Sequence, residues 1–119
     1  MDERRKSTRF ESSAIVKIAE IGNEQFFLKD ISVTGCRIKC PSGSVIAPNK
    51  QFTLQIMPER EANIDSFTIS SEPKWIHVDR NACEIGFPII ESPKGKQFQY
   101  YLDYLSWRSS HGKSITGTA

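Results

Sequence analysis

Long apolar runs are missing from this 119-residue chain. No stretch reaches the roughly 18 residues that a membrane-spanning helix needs, so no span is expected. The opening residues, MDERRKS, are polar and carry no apolar h-region, so they do not read as a signal peptide. Cysteine is scarce: there are three, an odd number, with no C-x-x-C pair. Cys36 and Cys40 lie in one expected strand, about 13 Å apart at strand rise, too far for a disulfide or a shared metal. The expectation is a cytoplasmic protein with buried, reduced thiols and no metal or cofactor. Histidine occurs only as His77 and His111. His77 and Cys83 flank an expected turn, but no third group is placed to orient them, so a catalytic pair is rejected. Gly112-Lys113-Ser114 has the ending of a phosphate loop, yet Trp107 stands where the first glycine belongs and no strand leads in. The chain is therefore not read as an enzyme. An excess of one charge is also lacking: the formal net charge of +2 argues against a nucleic-acid partner.

What is present is a series of short β-type runs. At this length the chain is one domain, large enough to bury a modest core. Residues 1–11 form a polar arm. Residues 13–21 carry Ile15, Val16 and Ile18, turn at Gly22-Asn23, and return through 24–31 as a hairpin. Residues 35–40 alternate, with Cys36, Ile38 and Cys40 on one face and Arg37 and Lys39 on the other. Pro41-Ser42-Gly43 closes that strand. Phe52, Leu54 and Ile56 mark a half-buried strand that Pro58 ends. Residues 59–65 form a charged loop. Residues 66–78 read as one long strand that Pro73 forces to an edge, a bulge or a bend. Residues 82–90 make the last strand.

The period then changes. Phe98, Tyr101, Leu102 and Leu105 recur at i, i+3, i+4 and i+7, the stripe of a helix. Ser92-Pro93 offers an N-cap and an N1 proline, which predicts a helix over 93–108 and a disordered tail over 109–119. Tyr100, Tyr104 and Trp107 form a second aromatic set on this helix, suited to extending the core or to contact with a partner, including a second copy in a homodimer. Six antiparallel strands followed by one helix give an all-β fold class with a capped six-stranded barrel.

Two motifs carry chemistry. Arg5-x-x-x-Arg9 lies in the arm, where four of the basic residues, Arg4, Arg5, Lys6 and Arg9, are concentrated. Asp30-x-Ser32-x-x-Gly35 lies where the second strand ends. Either alone has an ordinary reading, a solvated arm or an Asx-type turn. Together, in this order and one strand apart, they arise by chance in fewer than about one chain in a hundred. Arginine pairs bidentately with phosphate and stacks on purines. A carboxylate can accept from the N1–H and N2–H edge of guanine.

The pair of motifs resembles the signature of the PilZ domain, a bacterial receptor for cyclic di-GMP. The resemblance covers about residues 4–108, and Trp75-Ile76 with Glu84-Ile85-Gly86-Phe87 is similar to the family's closing strand pair. It implies a six-stranded β-barrel and a site made of Arg4, Arg5, Arg9, Asp30, Ser32 and Gly35. By resemblance, Arg5 and Arg9 jointly take phosphate contact and guanine stacking, and Asp30 takes the Watson–Crick edge of a guanine. Ser32 would bond base or phosphate, and Gly35 would supply a positive φ or let the ligand approach. Arg4, beside Arg5, would favour two stacked ligands over one. Lys6 and Arg37 are read as rim charges on a solvated face. The arm would order around the ligand, and an effector protein in motility, polysaccharide synthesis or regulation would read the change. The alternative is a PilZ-fold interaction module with no physiological ligand.

Overall fold

The computed structural model describes residues 8–22, 24–40, 46–80, 82–91 and 93–118, with the side chains of the C-terminal helix described through His111. Among the described residues eight strands appear where six were expected: β1 Phe10–Glu11, β2 Ile15–Ile18, β3 Gln25–Ile31, β4 Gly35–Cys40, β5 Phe52–Met57, β6 Phe67–Ser71, β7 Trp75–Val78 and β8 Cys83–Pro88. Two causes raise the number. The bend at Pro73 divides the long 66–78 run into β6 and β7, which sit at opposite ends of the sheet. The last two residues of the expected arm pair with β3 as β1, so Phe10 and Glu11 belong to the sheet.

All pairings are antiparallel, and the sheet path runs β6-β5-β2-β3-β4-β8-β7, with β1 added on β3. The sheet curls into a half-barrel. Phe52 of β5 and Phe87 of β8 are separated by three strands along the path, yet their rings meet edge-on at 6.4 Å. The Ser71 hydroxyl at the end of β6 donates to the Pro88 carbonyl at 2.6 Å, tying the far side of the sheet to β8. Alternation explains the interior. Val16, Ile18, Phe26, Leu28, Ile38, Leu54, Ile56 and Ile85 are all buried on the concave side. A fully buried aliphatic side chain of this kind contributes about 1.5–3 kcal/mol.

The helix, α1, spans Gln97–Thr118. Its start falls later than the expected Pro93, because Gly95 adopts φ +84, a left-handed conformation that no helix can continue through. Ser92, the expected cap, lies outside the described residues. At the other end α1 runs ten residues past 108, so the stretch expected to be a disordered tail is helical through Thr118. The stripe of Phe98, Tyr101, Leu102 and Leu105 is buried as expected. Phe98 and Tyr101 pack on Phe67 of β6 at 5.8 and 6.0 Å, which closes one end of the curled sheet.

Candidate functional site

The site begins with a fault in β3. Phe26 and Leu28 point inward, and strict alternation would send Asp30 inward after them. The pairing of β3 with β4 instead shifts register between Leu28 and Asp30. That bulge absorbs Lys29, re-aims the following residues, and leaves Ile31 in the core. Asp30 consequently lies on the outer side, directly opposite Arg37. The same row continues across the sheet: Glu11 pairs with Asp30, Arg37 with Gly86, and Gly86 with Trp75.

Asp30 is the acceptor for two arginines. Arg9 Nη1 donates to Oδ1 at 2.9 Å. Arg37 Nε donates to Oδ1 at 3.1 Å and to Oδ2 at 2.9 Å, and Arg37 Nη2 also donates to Oδ2. The carboxylate is only 5% exposed, against 43% for Arg9 and 34% for Arg37. The anion is thus covered and the cations face solvent. The bond to Asp30 holds the Arg37 guanidinium above even its usual high pKa. Next to this group, Lys29 Nζ donates to Glu84 Oε2 at 2.7 Å, which holds the Glu84 carboxyl below the usual range. Beneath it, burial pushes the Cys36 thiol up to about 12, so it is an inert thiol at neutral pH.

The two motifs therefore meet, but not every residue has the expected place. Arg4, Arg5 and Lys6 lie outside the described residues. Arg9 reaches Asp30 from the segment that leads into β1. Ser32 is completely buried: its hydroxyl donates to the Gly35 carbonyl at 3.3 Å and accepts from the Thr34 N–H at 3.2 Å. With the Ser32 N–H on the Gly35 carbonyl at 2.8 Å, it shapes the β3–β4 turn from within. Gly35 does not have a positive φ. A Cβ there would stand 3.0 Å from the Phe87 carbonyl oxygen, so glycine relieves a tight approach of β4 to β8. Arg37, read as a rim charge, is the residue the sequence undervalued. Its outward position was visible from alternation, but its partner was hidden by the bulge.

Two concavities adjoin the cluster. A small one of about 210 Å³ lies between the β3–β4 turn and the β7–β8 pair, walled by Lys74, Trp75, Gly86 and Pro88. An open groove of about 1310 Å³ crosses the outer face of β3 and β4 towards Leu105 and Arg108 of α1. Among the described residues no cluster of three or more His, Cys, Asp or Glu is placed to hold a metal ion. No helix among them is long and apolar enough to cross a membrane.

These features define a class: a small curled sheet closed at one end by a helix, presenting arginines on a shared carboxylate at a strand turn. The model of the PilZ domain matches residues 3–102, and the chain belongs to that family. PilZ domains are generally receptor modules for cyclic di-GMP, or adaptors, and not catalysts. No match is found among curated proteins. Among solved structures, that of the Bacillus subtilis Inhibitor of motility (MotI/DgrA) superposes with a TM-score of 0.71 at 22% identity. The match covers 89% of this chain and 51% of that one, so this chain spans about half the length of that protein. The likeness is one of fold.

Proposed function

We propose that this chain is a receptor for cyclic di-GMP, with its site at the junction of β1, β3 and β4. The observation that carries the reading is the 2.9 Å bond from Arg9 to Asp30, which joins one residue of each motif on an exposed face. Arg5 and Arg9 take phosphate and stack on guanine, and Arg4 adds a guanidinium for a second, stacked ligand. Ser32 and Gly35 serve by holding the turn. Asp30 serves through Arg9 in the free protein, and it meets the N1–H and N2–H edge of guanine only where a guanidinium gives way. The ligand carries two negative charges, and the cations of the arm close on it. An effector protein reads the altered surface. Control of motility, the role named for the Bacillus subtilis protein, is one such output, beside polysaccharide synthesis and regulation.

Isothermal titration with cyclic di-GMP, with cyclic di-AMP as control, tests the reading. Wild type should bind the guanine ligand and discriminate against the adenine one. Arg9→Ala and Asp30→Ala should each weaken binding by about tenfold or more, in keeping with charge-assisted bonds of about 1.5–3 kcal/mol. A folded wild type that gives no binding isotherm would sink the proposal. The second reading is an interaction module without ligand. The saturation of Asp30 by two arginines favours it, since such a cluster can simply be structural.

A further inference from the structure

Arg37 belongs to neither sequence motif, yet it occupies the middle of the outer row that runs Asp30, Arg37, Gly86, Trp75 across four strands. On one side it forks onto Asp30 through Nε and Nη2. On the other, Gly86 has no side chain, and the Trp75 indole folds over it: an added Cβ at Gly86 would fall 2.3 Å from Trp75 Cε2. Arg37 therefore stands between a carboxylate and an indole-covered glycine, and a third of its side chain stays exposed.

The two concavities are related through the same residue. Arg9 and Arg37 line both the 210 Å³ cavity and the 1310 Å³ groove, and they are the residues the two have in common. The smaller holds about seven waters at ~30 Å³ each, room for about one base and not for a dinucleotide. A cyclic dinucleotide that places a base there must lay its remaining ring across the two guanidiniums into the groove.

We propose that Arg37 is a fourth arginine of the cyclic dinucleotide site, contacting ligand as a pair with Arg9 on their shared carboxylate. This rests on the receptor reading above and adds a residue to it. With Nε and Nη2 committed to Asp30, the Nη1 edge of Arg37 is the part presented to a phosphate oxygen or to guanine O6 and N7. Adenine offers an amino donor in place of O6 and meets a guanidinium donor with another donor, so the same contact adds selectivity for guanine. Asp30 acts here as a positioning residue. Its carboxylate keeps both planar groups in orientation, and its charge leaves the three groups together with one net positive charge.

The test compares wild type, Arg37→Lys, Arg37→Gln and the exposed off-site control Lys94→Gln by calorimetric titration with cyclic di-GMP. Arg37→Gln should weaken binding about tenfold, and Arg37→Lys, which keeps the charge but loses the fork, at least about threefold. Lys94→Gln should bind as wild type does. Because loss of Arg37 leaves Asp30 with Arg9 as its one remaining arginine partner among the described residues, a second measurement uses wild type only: the Arg37 Nε–Hε resonance should shift on saturation with cyclic di-GMP. Wild-type affinity in both folded Arg37 variants, or an unmoved resonance at saturation, overturns the role of Arg37. Absence of binding by wild type overturns the receptor reading instead, and this inference with it.

Discussion

At Gly35 and Gly86 one missing carbon has two different meanings. Added at Gly35, a Cβ meets backbone, the Phe87 carbonyl oxygen at 3.0 Å, and relief requires a shift of the paired β4 or β8 backbone. Added at Gly86, it meets the Trp75 ring at 2.3–2.7 Å, a side chain that is partly exposed and has solvent on one side to move into. Gly35→Ala is thus expected to destabilise by about 1–3 kcal/mol, the usual cost of overpacking. Gly86→Ala should cost less and should instead shift Trp75 fluorescence to the red, measured in a Trp107→Phe background. A red shift absent from Gly86→Ala, or a larger stability loss there than at Gly35, would contradict this division.

α1 is held to the sheet by a chain of polar contacts as well as by its apolar stripe. The Ala14 N–H donates to Ser12 Oγ at 2.9 Å, and Ser12 meets the Tyr101 hydroxyl at 2.6 Å. Tyr101 donates in turn to Glu59 Oε1. Arg108 completes the circuit, donating from Nη1 to Glu59 Oε2 at 2.6 Å and from Nη2 to the Glu11 carbonyl at 2.7 Å. The helix therefore grips β1, the strand that follows Arg9. Burial, aided by the Glu59 contact, raises the Tyr101 hydroxyl well above its ordinary pKa. Burial raises Cys36 likewise. For groups raised on folding, the stabilisation is complete below the unfolded pKa and is lost as pH rises towards the folded value. From neutral pH, stability should accordingly be level to about pH 8.5 and fall steadily above it, with the tyrosine part entering above about pH 10. Thermal melts across this range check the slope. Tyr101→Phe should lower stability by about 1–3 kcal/mol at neutral pH, since Glu59 loses a donor, and should flatten the decline above about pH 10.

For the molecule as a whole, four of the sixteen basic residues fall within residues 4–9 of the sequence, while the net charge is only +2. A doubly charged ligand at this end should draw the arm onto the sheet. Hydrogen–deuterium exchange should show the first ten residues becoming protected on adding cyclic di-GMP, with little change in β5 and β6 on the far side of the sheet. Equal exchange with and without saturating ligand would refute the ordering step.

Period-two alternation, the helical stripe and the breaker residues marked the runs that form β2 to β8, the buried face of the helix and the bend at Pro73, because each depends on neighbours within a few residues. The two motifs were legible for the same reason: they are strings at short, fixed spacing. The partner of Arg37 was not. Whether Asp30 faces inward or outward depends on the bulge at Lys29, and the bulge is set by how β3 pairs with β4. Gly35 as the seat of a close approach, Ser32 as the inner brace of a turn, and the eight-strand sheet likewise follow from which strands come to lie side by side. Register and curl are properties of paired strands, fixed by burying one face of each. Only the tertiary structure could therefore decide that two guanidinium groups of the outer face, Arg9 and Arg37, share one carboxylate.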